Sequence, residues 1–209
     1  MNKTASFWNR MAARYARAAI GDQEAYEKKL AITRSYFTPE MQVLEIGCGT
    51  GSTAIIHAPH VKHIRATDIS ENMLMIAREK AAAAGVANIT FECTSVDELV
   101  VAEGTLDMVL ALSILHLLPN HEQVISRAFA MLKPGGLLVS STVCLQDGYG
   151  YLKYILPVMR CVGFAPPTVA FLTAAQLEHE FKTAGFIIEH NWRPCSQKAV
   201  FMVLKKPEV

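Results

Sequence analysis

The segment Val43-Leu44-Glu45-Ile46-Gly47-Cys48-Gly49-Thr50-Gly51 places three alternate glycines directly after a short apolar run. An apolar run bounded by glycine reads as a buried parallel strand. Glycine lets the backbone turn tightly and lets a ligand approach without a Cβ in the way. The segment therefore predicts a bare peptide bend at the carboxyl edge of a parallel sheet, which is where open α/β sheets bind ligands.

The rest of the chain supplies that sheet. Ile64 to Ile69, Ile89 to Cys93, Leu106 to Leu112 and Leu137 to Val143 read as four more strands. A short helix follows Gly51, a second is capped by Ser70 and closed by Gly85, and a third runs from about Glu122 to Leu132. The turn Lys133-Pro134-Gly135-Gly136 precedes the fifth strand. This alternation predicts a parallel sheet with right-handed crossovers and helices on both faces. Two helices precede it, the second from about Gln23 to Tyr36. After it come an apolar helix over Tyr149 to Phe164, a last helix over Leu172 to Ala184, and strands Phe186 to Trp192 and Lys198 to Leu204. The short polar link between those strands leaves no room for a crossover helix, so they form an antiparallel hairpin.

Asp68 closes the second strand, 19 residues after Gly49. A carboxylate at that separation accepts hydrogen bonds from ribose hydroxyls. Two ligand classes fit a glycine bend plus an acid. A nicotinamide dinucleotide wants G-x-G-x-x-G, but Ser52 stands where its third glycine would be, and Glu45 repels a pyrophosphate. Glu45 suits a ligand with an ammonium group, as in the amino-acid tail of S-adenosylmethionine.

On these residues the chain resembles the class I S-adenosylmethionine-dependent methyltransferases. Val43 to Gly51 is similar to their first motif, and Asp68-Ile69-Ser70-Glu71-Asn72-Met73-Leu74 to their second. Leu132 to Gly136 is similar to the turn before their fifth strand, and Ala184-Gly185-Phe186 to the entry into the sixth. The likeness spans roughly residues 40–204, and within the family the chain looks most like the methyltransferases of quinone biosynthesis and their small-molecule relatives. It implies a Rossmann-like, doubly wound, mostly parallel seven-stranded sheet ending in the hairpin. It also implies a single domain over 1–209: an N-terminal helical lid at 1–39, a cofactor-binding core at 40–145, a cap insertion at 146–172, and the last helix and hairpin at 173–209. The cofactor would meet Tyr15, Glu45, Gly47, Gly49, Thr50, Gly51, Asp68, Ile69, Met73, Leu112 and Ser113. Where the family often carries Asp after strand three, this chain has Ser95, followed by Val96 and Asp97. Ser95 and the Val96 N–H are then the adenine contacts, with Asp97 as the alternative.

Methyl transfer from a sulfonium is an in-line displacement, so the protein aligns the acceptor, excludes water and, where needed, removes a proton. The catalytic candidates are His116, as a neutral base beyond strand four, and Tyr15, whose hydroxyl reaches toward the methionine tail or methyl group. Lys29 and Arg14 are candidates to neutralise the cofactor carboxylate. His57, His60 and His63 lack helical metal-site spacing and read as surface residues, so no metal is expected. The acceptor pocket is expected from the N-terminal helices, the His116 segment and the insertion Gln146 to Leu172. The insertion's Tyr149, Tyr151, Tyr154, Leu156, Met159, Phe164 and Phe171 favour an apolar, amphipathic or thiol acceptor.

Twenty basic against nineteen acidic side chains give a net charge of +1, which argues against a nucleic-acid face. The five cysteines are odd in number and widely spaced, so they read as free thiols, mostly buried or half-buried. No apolar run reaches the ~20 residues that span a bilayer. A cytoplasmic enzyme, monomer or homodimer, with peripheral membrane contact at the apolar cap, is the expectation. The alternatives are a NAD-dependent oxidoreductase and a silent S-adenosylmethionine-binding regulatory module.

Overall fold

Residues 3–161 and 163–208 are described by the computed structural model. Seven strands form one sheet: β1 (Gln42–Ile46), β2 (His63–Asp68), β3 (Ile89–Cys93), β4 (Leu106–Leu112), β5 (Leu132–Thr142), β6 (Ile187–Trp192) and β7 (Val200–Lys205). Their order is β3-β2-β1-β4-β5-β7-β6. The first five run parallel, and β7 enters antiparallel between β5 and β6. The order reverses between β1 and β4, so the carboxyl ends of these two strands flank the crevice where a ligand binds.

Alternation along each strand builds two cores. Leu44 and Ile46 of β1, Val109 and Ala111 of β4, Leu138 of β5, and Met202 and Leu204 of β7 point to one face. They meet Val124, Ile125 and Ala128 of α5 (His121–Met131) and Leu177 and Phe181 of α7 (Ala174–Thr183). Val43, Met108, Leu110, Val139, Phe201 and Val203 point to the other. There they meet Ala54 of α3 (Ser52–His57), Leu74 of α4 (Glu71–Ala83), and Ile32 of α2 (Gln23–Arg34). With both faces covered, the central strands are mostly apolar, which is why they read from sequence as nearly continuous runs.

Local signals set the ends. The Ser70 hydroxyl accepts the Met73 N–H and starts α4. Thr173 and Gln176 form a reciprocal capping box at α7. The fifth strand begins earlier than its sequence suggests. Lys133-Pro134-Gly135-Gly136 is absorbed as an irregularity, so that Leu106 pairs with Leu132 but Met108 pairs with Leu137. Glycine and proline gave a turn signal, and the backbone used them as a bulge.

At the amino end, α1 (Lys3–Arg17) lies along α4. Phe7 and Ala12 are buried, and the Asn9 side-chain oxygen accepts from the Ser70 hydroxyl and the Asn72 N–H. After β5, α6 (Leu152–Cys161) carries Pro157 within it and buries only Leu156. Tyr151, Tyr154, Ile155, Val158 and Met159 stay exposed. Cys48 and Cys144 are buried, but Cys93, Cys161 and Cys195 are exposed, so most of the thiols are not sheltered as expected. Among the described residues no helix is long and apolar enough to cross a membrane.

One tight constraint lies at Gly51. Its φ is +72°, and a Cβ there would lie 2.8 Å from the Ala77 Cβ of α4. Gly51→Ala should therefore destabilise the fold by about 1–3 kcal/mol, from left-handed strain plus displacement of α4. Chemical denaturation of the variant beside the parent checks this. Equal midpoints would mean that the bend relaxes freely.

Candidate active site

The glycine bend is built as its sequence requires. Gly47, Gly49 and Gly51 have φ of +68°, +54° and +72°. A Cβ on Gly47 would sit 2.8 Å from the Ile114 side chain. Gly49 faces the Tyr15 ring, and a Cβ there would lie 3.7 Å from Tyr15 Cε1. Asp68 ties the bend to β2: Oδ2 accepts the Gly49 N–H at 2.9 Å, and Oδ1 accepts the Ser70 N–H at 2.8 Å. Each carboxylate oxygen keeps a lone pair free for a further donor, so two hydroxyls can still bind. Burial raises the Asp68 pKa, and the backbone N–H groups of Ser70, Gly49 and Ile69 oppose it.

Glu45 is the most perturbed acid. It is 3% exposed, and its Oε2 has no hydrogen-bond partner among the described residues. Burial first, and then the neighbouring Asp68, push its pKa up to about 8. A buried carboxyl beside a second acid calls for a cation. Tyr15 stands across the bend with 52% of its surface exposed. Its phenol is pushed up by burial, then by Asp68, Glu45 and Tyr26.

Tyr15 and Glu45 share a cavity of about 410 Å³ with Gly47, Cys48, Thr50, Leu112 and Ser113. Its remaining walls come from the end of α1 and the link after it (residues 18–21), from Tyr26, Lys29, Leu30 and Thr33 of α2, from Ser52, Thr53 and His57 of α3, and from Lys80 and Ser141. Ser113 holds a φ of +62°, rare for a residue with a Cβ, while its N–H bonds the Ser141 carbonyl at 2.7 Å. Such strain is retained where the surroundings over-determine it, often at a ligand edge.

Of the expected contacts, Tyr15, Glu45, Gly47, Thr50, Leu112 and Ser113 line this cavity. Asp68, Gly49 and Gly51 are not in its wall: Asp68 holds the Gly49 N–H of the bend, and Gly51 underlies it. Ile69 is half-buried beside Asp68. Met73 is buried on the inner side of α4 and does not line the cavity. Ser95 spends its hydroxyl on Glu98, and the Val96 carbonyl accepts from Arg127 at 2.6 Å. Asp97, the alternative adenine contact, accepts from the Asn120 side chain at 2.6 Å and does not line the cavity.

Three sequence readings change. His116 does not line the cavity: it is half-buried, its Nδ1 has no partner among the described residues, and burial lowers its pKa to about 4. No described residue of the 146–172 insertion lines the cavity either, so its walls come from the N-terminal helices and the core. His57 is not a surface residue. It is fully buried, edge-on to Phe37 with ring centroids 4.9 Å apart, and neither ring nitrogen has a partner among the described residues. It lacked a sequence signal because its surroundings come from α2 and the turn after it, 20 residues and more away. Lys80 and Ser141 were missed for the same reason. Lys80 reaches from α4 to the Thr50 and Ser52 hydroxyls at 3.1 and 3.3 Å. Elsewhere, ligand atoms of His121, Glu122 and Glu180 lie within 4.8 Å of one another, with His121 paired to Glu180 at 3.2 Å.

Burial, then the Arg34 and His60 charges, hold the His57 pKa at about 4, below the usual 6.5. Protonation then favours the unfolded chain. The contribution of His57 to stability is complete above pH 6.5 and is lost as pH falls toward 4, by about 3 kcal/mol in all. Glu45, with its raised pKa, acts in the opposite sense between pH 8 and 4.5. Denaturation midpoints of the parent and His57→Phe at about pH 7.5 and about pH 4.5 isolate the histidine. The variant should lose less stability on acidification, and parallel losses would contradict the assignment.

A family model described as a methyltransferase domain matches residues 43–136. The chain is 30% identical over 163 residues to a demethylmenaquinone methyltransferase of Listeria monocytogenes, covering 69% of each sequence. It is 28% identical over 150 residues to a ubiquinone biosynthesis O-methyltransferase of Neisseria meningitidis, covering 69% of this chain and 63% of the relative. Among solved structures, the N-methyltransferase NodS of Bradyrhizobium japonicum in complex with S-adenosylhomocysteine superimposes with a TM-score of 0.74. That match has 19% identity and covers 99% of this chain and 100% of NodS.

Proposed function

The chain belongs to the class I S-adenosylmethionine-dependent methyltransferases, and from that premise we propose that it methylates a small, amphipathic, ring-bearing acceptor held between α2 and the ends of β4 and β5. It is an enzyme that takes its methyl group from S-adenosylmethionine. The nicotinamide alternative is thereby set aside. When bound, S-adenosylmethionine supplies an activated methyl on a sulfonium, and the protein's work is placement and exclusion of water.

The observation that carries the reading is Glu45. A buried carboxyl with a free oxygen, at a bend whose glycines leave the backbone bare, fits the ammonium of an amino-acid tail. Asp68 holds the bend through Gly49 and keeps free lone pairs for a ribose. Ile69, Ser95 and Val96 are then the nucleoside side, and Tyr15 covers the tail. Tyr15 is also the catalytic candidate that reaches the cavity. His116 stays neutral at pH 7, and its place outside the cavity favours packing of the segment, where its own carbonyl accepts the Ala170 N–H.

The names of the two curated relatives support a quinone-related ring as the acceptor class. Ile20, Leu30 and Leu112 offer it apolar contact, and Tyr26, Thr53 and Ser141 offer hydroxyls. The exposed face of α6, with Tyr154, Ile155 and Val158, supports the expected peripheral contact with a lipid surface.

Cofactor binding should be coupled to a proton. Near neutral pH Glu45 holds its proton in the free protein, and an ammonium beside it favours the carboxylate. Binding of S-adenosylhomocysteine should therefore release protons below pH 8 and tighten with rising pH, by at most about tenfold per unit. Titration calorimetry in two buffers of different ionisation enthalpy reads this directly. Glu45→Gln should abolish the buffer dependence and weaken binding by about 1.5–3 kcal/mol. Identical heats in both buffers for the parent would remove Glu45 from the tail site.

Turnover tests the enzyme against the silent module. Thioether formation over a panel of phenols, thiols, amines and quinols should show product with ring-bearing hydroxyl acceptors. Tight binding of S-adenosylhomocysteine with no product across the panel would favour the module.

A further inference from the structure

The order of the strands also orders the site. The Asp68 side lies at β2, the glycine bend and Glu45 at β1, Leu112 and Ser113 at the end of β4, and Ser141 at β5, which pairs with Leu112 in register. Neighbouring strands are about 4.8 Å apart, so Ser141 lies roughly 10 Å across the sheet from β1. A nucleoside at β2 with its tail at β1 leaves β5 to the acceptor.

That end of the cavity has a built polar corner. Ser141 is 4% exposed, and its Oγ accepts from Lys29 Nζ at 2.9 Å. Two further N–H groups of Lys29 and the Ser141 O–H remain to be used. Lys29 makes no ion pair among the described residues. Its nearby acid, Asp22, is engaged by Lys198 at 3.1 Å. Burial lowers the Lys29 pKa, as expected of a cation without a partner. The other cation of the cavity, Lys80, is separately placed at the glycine bend, against Thr50 and Ser52, on the cofactor side. Glu45 is the one carboxylate that lines the cavity among the described residues, and its free oxygen belongs to the ammonium.

We propose that Lys29 and Ser141 form an anion subsite for the acceptor, so that the enzyme selects ring compounds bearing a carboxylate. The inference rests on the methyltransferase reading of the same cavity. A carboxylate accepts several hydrogen bonds and matches the three unused donors, while its charge offsets that of the half-buried ammonium. The acceptor is then more polar than the apolar insertion suggested, because that insertion is not part of the wall. Lys29 is accordingly a specificity residue for the acceptor rather than the partner of the cofactor carboxylate.

The test uses the whole chain saturated with S-adenosylhomocysteine, with benzoate and benzyl alcohol as charged and neutral probes in NMR titrations. Benzoate should bind about tenfold or more tightly than benzyl alcohol. Lys29→Met should lose that preference, Lys29→Arg should retain most of it, and S-adenosylhomocysteine affinity should stay within about twofold in both. Equal binding of the two probes by the parent, or a preference that survives in Lys29→Met, would overturn the subsite. A large fall in S-adenosylhomocysteine affinity in Lys29→Met would assign the lysine to the cofactor and overturn it equally. Failure of the parent itself to bind S-adenosylhomocysteine would instead strike the methyltransferase reading, and the subsite with it.

Discussion

The hydrogen bond from the Gly49 N–H to Asp68 is the tie on which the site depends. It joins the end of β2 to a bend that no side chain could stiffen, because three of its residues occupy the left-handed region. The cost is a second acid close to Glu45, in a place where water is mostly excluded. Burial first, and then Asp68, makes ionisation of Glu45 harder, and its free oxygen has no donor among the described residues. The free protein meets this by keeping Glu45 protonated near neutral pH, and an ammonium beside it would favour the carboxylate. Binding and geometry have one origin, since the residue that shapes the bend also primes its neighbour for a cation.

Charge is distributed along the sheet edge in a matching sequence. Acids occupy β2 and β1, while Lys29, without an ion pair among the described residues, sits at β5. Lys80 stands at the first end as well, against the Thr50 and Ser52 hydroxyls. The strained Ser113 lies between the two ends, anchored to Ser141 through its N–H.

Much of this frame was legible in the chain because its determinants are local. Val43 to Ile46 and Leu106 to Leu112 are largely buried on both sides and read as unbroken or nearly unbroken apolar runs. Ser70 and Gly85 end their helix by their own chemistry. The glycines, Glu45 and Asp68 were legible as a site because they come from two adjacent strand ends with a regular spacing. Lys80, His57 and Ser141 were not, because each acquires its role only when another element is laid against it. The apolar insertion misled in the same way: hydrophobic composition marks a surface to be covered, but not which cavity it faces. Lys133 to Gly136 shows the local limit, since turn chemistry is compatible with both a turn and a bulge.

The two N-terminal helices are held by different means, and this bears on how the site fills. α1 is anchored by buried Phe7 and Ala12 and by Asn9 at the start of α4, contacts that involve no ligand group. Much of what holds α2 at the cavity is polar: Tyr26 to Thr53 at 3.3 Å, Lys29 to Ser141, and Asp22 to Lys198. Its apolar contacts, through Ile32, lie toward the far end of the helix. Partly exposed polar contacts of this kind contribute little net stability. The same lysine that would grip an anionic acceptor is part of the cavity wall. An occupied subsite would therefore add a charge-assisted contact between α2 and β5, and it would strengthen the wall only while an acceptor is in place.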